Sequence, residues 1–318
     1  MAMLSSIADD SPRSGPCAIV GRANAGKSTL LNTLLGRKLA IATARPGTTH
    51  TCTLGVYVSE SPPTQIAFVD TPGLHTPRNA LGRALVQSAR RGLLEAEVVL
   101  LVTEIDTRRP DGAERALARE EKRVLDLARE RGLPVVLAVN KIDRLRDKRQ
   151  LLPLIDGCSR RFPFAAIVPI SALKADNIEA LVRAVRSQLA EGLRYDEEML
   201  TDKPERFFVA ELVREAAILQ MRQEIPYRLA VFVDGFREKE RLTSISAVIV
   251  VEKQAHKGML IGKGGQRLKS IGTAARGQIE RFLGRKVFLE LWVKVREGWT
   301  EAPADVRRLA IESTGSDD

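Results

Sequence analysis

The sequence predicts an α/β protein in two parts: a mostly parallel sheet covered by helices on both faces, followed by a smaller α+β domain. Three observations carry this expectation. From about residue 15 to 190, short apolar runs alternate with longer stretches of helical spacing, the pattern of strands buried on both faces and joined by crossover helices. A polar, acid-rich interval over 193–204 then closes on a proline. Beyond it the rhythm changes to helix, two strands, helix, a Gly-rich turn, helix and strand. The expected organisation is a polar tail over 1–14, a first domain over 15–192, a linker over 193–204, a second domain over 205–299 and a tail over 300–318. At 318 residues with 44% hydrophobic side chains, the chain can fill two cores.

The elements follow in order. Apolar runs at 17–20, 66–69, 98–102, 135–139 and 166–170 read as strands, and 29–35, 81–94, 113–131 and 178–189 have the spacing of amphipathic helices. In the second part, 206–220 reads as a helix, 227–236 and 245–251 as strands, 258–283 as a basic Gly-rich helical stretch, and 287–295 as a last strand. No internal repeat or long low-complexity segment interrupts this.

Composition excludes several classes. Cys17, Cys52 and Cys158 are far apart and the three histidines are scattered, so neither a disulfide framework nor a zinc site is expected. The first residues carry Asp9 and Asp10 where a signal peptide needs an apolar run, and no stretch is long enough to span a bilayer. A cytoplasmic protein is the expectation. With no long heptad seam, so is a monomer. The net charge of +10 is concentrated: nine Lys/Arg between Lys253 and Lys286 face one acid, Glu280. Such a segment suits an anionic partner.

Gly21-Arg22-Ala23-Asn24-Ala25-Gly26-Lys27-Ser28 lies between a strand and a helix. A loop with glycine at both ends can turn successive backbone N–H groups inward, and the helix N-terminus adds partial positive charge, so the pair holds a di- or triphosphate. Gly21, Asn24, Ala25, Gly26, Lys27, Ser28 and Thr29 are the candidate phosphate-binding residues, with Lys27 reaching the β- and γ-phosphates and Ser28 a Mg²⁺ ion. Asp70-Thr71-Pro72-Gly73 follows the next strand, where Asp70 can hold a Mg²⁺-bound water and the Gly73 N–H can contact a γ-phosphate. Asn140-Lys141-Ile142-Asp143 selects the base: a carboxylate at Asp143 accepts from the ring N–H and exocyclic amine of guanine, whereas adenine would leave it unpaired. The Lys141 stem can cover the base, and Ser171-Ala172-Leu173 can offer an N–H to the guanine oxygen. All four motifs fall at carboxyl ends of strands, where ligands of such sheets bind. Together they point to GTP and GDP with Mg²⁺.

This set looks like the translation-factor-related GTPases over roughly the first 190 residues. The resemblance places a Mg²⁺-binding switch threonine in Arg45-Pro46-Gly47-Thr48-Thr49-His50. Alignment on Pro-Gly-x-Thr selects Thr49, with the adjacent Thr48 the alternative. Lys27, Thr49 and Gly73 are the residues expected to serve hydrolysis, and Ser28, Thr49 and Asp70 those expected around Mg²⁺. Leu74 stands where many relatives carry a glutamine that orients the attacking water, so slow intrinsic hydrolysis is expected. Asn24 resembles the asparagine that ligates potassium in some of these proteins, which implies potassium-stimulated hydrolysis. His75, a lone loop histidine, is not assigned a role.

Ile261-Gly262-Lys263-Gly264-Gly265-Gln266-Arg267-Leu268-Lys269 carries the Gly-x-x-Gly of a KH domain. Its glycines let a nucleic-acid backbone approach while Lys263, Arg267, Lys269 and helix N-termini meet phosphates, and an adjacent apolar groove takes unstacked bases. Ile261, Gly262, Lys263, Gly264, Gly265, Arg267 and Lys269 are the candidate RNA-binding residues. Only 4% of residues are aromatic, which favours clamping by backbone and charge over a base-stacking sheet.

In combination, the chain resembles the bacterial Era GTPase family over nearly its whole length. The resemblance is carried by the motifs above and by Asp70-Thr71-Pro72-Gly73-Leu74-His75, Gln223-Glu224-Ile225-Pro226-Tyr227 and Leu289-Glu290-Leu291-Trp292-Val293-Lys294-Val295 with Trp299. It implies a type II KH domain that recognises the 3′ end of 16S rRNA near the anti-Shine–Dalgarno sequence. It also implies a role in assembling the 30S subunit and a peripheral association with the inner face of the cell membrane. One departure is visible: basic residues usually follow the paired threonines, and here His50-Thr51-Cys52 stands. Two other readings compete: an RNA-binding assembly protein whose nucleotide is structural, and a membrane-surface GTPase whose basic segment meets anionic lipid.

Overall fold

A computed structural model describes residues 10–43, 48–73, 77, 79–105, 119–196, 198–221, 228–240 and 242–311. Arg45-Pro46-Gly47, Leu74-His75, Gln223 to Tyr227, the start of the helix expected at 113–131 and the outer parts of both tails lie outside the described residues. In chain order the elements are β1 (Arg13–Val20), α1 (Lys27–Leu35), β2 (Thr53–Glu60), β3 (Pro63–Asp70), α2 (Ala80–Leu94) and β4 (Val98–Glu104). Then come α3 (Arg119–Glu130), β5 (Val135–Asn140), α4 (Leu151–Ser159), β6 (Ala166–Pro169), α5 (Ile178–Arg186) and β7 (Ala190–Glu191). The later part contains α6 (Glu205–Gln220), β8 (Leu229–Lys239), β9 (Leu242–Val251), α7 (Gln254–Ile261), α8 (Gln266–Leu283), β10 (Val287–Val295) and the short α9 (Pro303–Val306).

By packing, the described parts of the chain divide into two units. The first takes in residues up to Arg37, Thr53–Thr71 and Arg91–Asp202, and the second takes in Lys38–Cys52, Pro72–Arg90 and residues from Lys203 onward. Two segments that the sequence assigns to the first domain thus pack within the second unit.

The first unit is built on a sheet in the order β2-β3-β1-β4-β5-β6, parallel except for β2, with β7 added antiparallel to β1. Cys17–Val20, Val98–Val102 and Val135–Val139 are buried along their whole length, as expected of strands covered on both faces. β2 was not among the expected strands. It pairs only with β3, and its outer half alternates between half-buried and exposed residues. The interval expected to be a linker is laid along these strands. The Gln65 side chain accepts from the amides of Arg194 and Tyr195 and donates to the Tyr195 carbonyl, while Val56 N donates to Leu200 O and Thr201 Oγ1 to Leu54 O.

In the second unit, β8 and β9 are antiparallel, and β10 lies parallel to β9, giving the order β10-β9-β8. One face of this sheet packs against α6, α7 and α8 around Val213, Ala217, Ile249, Ile271, Ala275 and Ile279. The basic Gly-rich stretch over 258–283 is two helices parted by the turn Gly262–Gly265, in the expected order of helix, Gly-rich turn and helix. The opposite face is covered at Ala230, Val248 and Val250 by Trp299, Val306, Leu309 and Ala310, together with Leu81 and Leu85. The segment expected to be a polar tail is therefore folded as far as Ile311, because its few apolar residues fall on one side and reach that face. Among the described residues no helix is long and apolar enough to cross a membrane.

Candidate functional site

Four loops leave the carboxyl edge of the parallel sheet, and their sequences decide how they meet. Gly26 caps α1 with φ 101°, and a Cβ there would lie 2.2 Å from Asn140 Nδ2, so only glycine permits this approach. Asn140, at the end of β5 and 2% exposed, engages both ends of its amide. Nδ2 donates to Ala25 O at 2.8 Å, and Oδ1 accepts from Lys141 N at 2.8 Å and Ala172 N at 2.9 Å. The loops after β1, β5 and β6 are thereby knotted together. Besides the nucleotide contact that the sequence assigns to it, the Asn140 side chain ties the three loops together.

Lys27 is buried, and its Nζ donates to the carbonyls of Gly21 at 3.1 Å and Arg22 at 3.0 Å. Burial lowers its pKa, and the Asp70 and Glu121 carboxylates oppose that shift. Ser28 Oγ donates to Asp70 Oδ2 at 2.7 Å. Asp70 is fully buried, its pKa pushed up to about 6 by desolvation against the opposing pull of Lys27 and Ser28. Its Oδ1 has no hydrogen-bond partner among the described residues. A buried carboxylate oxygen without a partner beside a serine hydroxyl is a donor set suited to a hard divalent cation, so these two residues fit Mg²⁺. Thr71 locks the neighbouring backbone by donating Oγ1 to Ile19 O at 2.9 Å.

At the base end, Ser171 Oγ donates to Asp143 Oδ1 at 2.6 Å, which fixes the carboxylate while leaving its other oxygen for a ligand. Lys141 sits at φ 70° and its Nζ donates to Asn24 O at 2.6 Å and to Glu104 at the end of β4. Glu104 was not expected at the site. It ends an apolar strand, and only its pairing with Asn140 in the β4–β5 register reveals it. In the Ser171-Ala172-Leu173 loop, the Ser171 amide donates to Asp176 O and that of Ala172 to Asn140 Oδ1. Leu173 is 74% exposed. A ligand oxygen here shares the Ala172 amide or takes that of Leu173.

Thr48, Thr49 and Gly73 fall in the two segments that pack within the second unit. Thr48 is buried, and Thr49 and Gly73 are half-buried. The Thr48 carbonyl accepts from Arg214 of α6. His50 is buried, and its pKa is held well below the usual imidazole range by desolvation and then by the Arg214 charge. Sequence reading missed Arg214, which lies on a helix with Glu211 and Glu215 beside it, where a charged residue looks like part of a solvated face.

The Gly-x-x-Gly turn joins α7 to α8 with Gly262, Gly264 and Gly265 at φ 73°, 58° and 76°, a run that side-chain-bearing residues rarely adopt. Lys263, Arg267 and Lys269 are exposed around it, while Ile261 and Leu268 are half-buried against the core of the unit. Arg267 Nη1 donates to Met259 O at 2.5 Å, closing the end of α7.

Comparison with known proteins follows the same division. A family model described as a 50S ribosome-binding GTPase matches residues 16–141, and a KH domain model matches 224–300. The chain is 42% identical over 308 residues to the GTPase Era of Trichlorobacter lovleyi, covering 96% of this chain and 100% of that one. It is 44% identical over 305 residues to the GTPase Era of Nitratidesulfovibrio vulgaris, covering 94% and 97%. Among solved structures it is similar to a variant of Aquifex aeolicus Era bound to GDP·AlF4−, with 40% identity, a TM-score of 0.86 and coverage of 93% and 98%. It is also similar to an Era in complex with MgGDPNP and nucleotides 1506–1542 of 16S ribosomal RNA, with 39% identity, a TM-score of 0.87 and coverage of 94% and 98%.

Proposed function

The chain belongs to the Era GTPase family, and from that membership we propose that it is a GTP-hydrolysing switch that binds the 3′ end of 16S rRNA during assembly of the 30S subunit. The observation that carries the nucleotide half is the knot at Asn140, which makes one rigid site of the loops bearing Lys27, Asp143 and Ser171. Phosphates are held by the Gly21–Ser28 loop and the start of α1, with the Lys27 ammonium on the β- and γ-oxygens. Ser28 and Asp70 hold Mg²⁺, and the sequence resemblance assigns a further ligand to the switch threonine, Thr49 or its neighbour Thr48. The ion offsets the phosphate charge there. Guanine is selected by the free oxygen of Asp143, and the Lys141 stem covers the ring. RNA is taken at the 262–265 turn, where close backbone approach and the exposed Lys263 and Lys269 suit a single strand. A potassium ion at Asn24 completes the reading, supported by the resemblance of this phosphate-loop asparagine to the one that ligates potassium in some related GTPases. Equal hydrolysis rates in KCl and NaCl would remove potassium from it.

The experiment that tests the whole is equilibrium binding of the protein to a 16S 3′-end RNA fragment with GDP and with a non-hydrolysable GTP analogue, at several salt concentrations. Tighter binding with the analogue, a steep salt slope and no binding to a scrambled RNA are expected. Equal affinity in both nucleotide states would instead favour an RNA-binding protein whose nucleotide is structural.

A further inference from the structure

Two neighbouring residues of α6 hold the two limbs of the segment that carries Thr48 and Thr49. Glu215 is 2% exposed; its carboxylate receives Lys38 Nζ and, at 3.3 Å, the backbone amide of Ala42. Arg214 is also 2% exposed. Its guanidinium donates to the Thr48 carbonyl while Glu211, one turn back on the same helix, holds it by two bonds of 2.7 Å. Lys38 makes a second contact, donating to Gln278 Oε1 of α8 at 2.6 Å. That helix begins at the 262–265 turn, and Gln278 stands about 18 Å along it at ~1.5 Å per residue. One exposed ammonium thus joins the switch segment to both long helices of the RNA-binding domain.

We propose that Lys38, Arg214 and Glu215 are positioning residues that transmit the state of the switch segment to α6 and α8, so that nucleotide sets RNA affinity through this clamp. The proposal rests on the reading that the segment rearranges with nucleotide, and it names the contacts that read the change. The physical basis is that each limb is held by a charge-assisted bond to a buried partner. Moving the Lys38 limb therefore leaves the buried Glu215 charge without its cation, and moving the Thr48 limb takes from the buried Arg214 guanidinium one of its acceptors, unless the helix follows.

The test uses the full chain and measures affinity for the 16S 3′-end fragment with GDP and with a non-hydrolysable GTP analogue. Wild type is compared with Lys38→Ala, Glu215→Gln and the double variant. The quantity read is the ratio of the two affinities, because a purely structural defect lowers both equally. In wild type the ratio departs from one. It is expected to fall to about one in each single variant and to fall no further in the double, with GDP affinity unchanged within about twofold. A wild-type ratio that survives in Lys38→Ala overturns the clamp and leaves the switch reading intact. A wild-type ratio of one overturns both. If Glu215→Gln is unstable, Lys38→Ala decides alone, since that side chain is 42% exposed and Glu215 keeps the Ala42 amide as a partner.

Discussion

Asn140 Nδ2 lies 2.8 Å from the carbonyl oxygen of Ala25, and that bond pins the end of β5 to the phosphate-binding loop after β1. Oδ1 and one Nδ2 hydrogen are engaged inside the protein, so the residue shapes the nucleotide site through the loops it joins and keeps its second Nδ2 hydrogen for a ligand.

Asn140→Asp is therefore expected to be worse than Asn140→Ala. The alanine leaves the Ala172 amide and the Ala25 carbonyl without their buried partner, at about 1–3 kcal/mol for each unsatisfied group. The aspartate sets a negative oxygen against that carbonyl. Both should weaken GDP binding and lower the melting temperature. Calorimetric binding and thermal unfolding of the pair check the order.

Asp143→Asn replaces a carboxylate that accepts from two guanine N–H groups with an amide that can accept from only one. GDP affinity should fall by at least about 10²-fold. Xanthine nucleotides, which present an acceptor in place of the amine, should gain. Competition between GDP and XDP for the variant measures this, and a retained preference for GDP would move base selection to another residue.

These two residues show how far the sequence reaches. Asp143 and Asn140 are both visible as a tetrapeptide after a strand, yet their different roles are not, because the Ala25 and Ala172 partners come from distant loops. The parallel strands β1, β4 and β5 are legible since burial on both faces writes them as continuous apolar runs, and β3 and β6 keep enough apolar residues to follow them. β2 is not, since Thr53-Leu54-Gly55 and Ser59-Glu60 dilute the pattern at the edge of the sheet. α4 carries Pro153 and Gly157, which mask its helical spacing. The role of Arg214 is hidden for a plainer reason: its partner, a backbone carbonyl at Thr48, has no sequence signature.

For the RNA site, Lys263→Asp with Gly264→Asp places two carboxylates on the turn and forces a side chain onto a φ of 58°. RNA binding should be lost, while GDP binding and the fold of the first unit stay as they are. Filter binding and nucleotide titration on the same preparation separate the two effects. Undiminished RNA affinity would put the footprint elsewhere.

Acid should loosen the second unit through His50. Its folded pKa lies below the 6.5 of a free imidazole, owing to burial and to Arg214. The unfolded chain therefore binds a proton that the folded chain refuses once the pH drops below 6.5. This group's contribution is neutral above that value and costs up to about 1.4 kcal/mol per pH unit below it. Denaturation between pH 7.5 and 5 should show a shallower loss of stability in His50→Gln than in wild type.

The closure of Trp299, Val306 and Leu309 onto Leu81 and Leu85 sets an order on the making of the molecule. Every strand of the parallel sheet has been synthesised once Glu191 is added, so the first unit can fold while translation continues. The second needs Leu81, whose amide bonds Thr300 O at 3.0 Å, and must wait for residues 299–310. Nascent chains carry a finished phosphate loop before they carry a finished RNA grip, and termination before Trp299 leaves the apolar face of β9 bare.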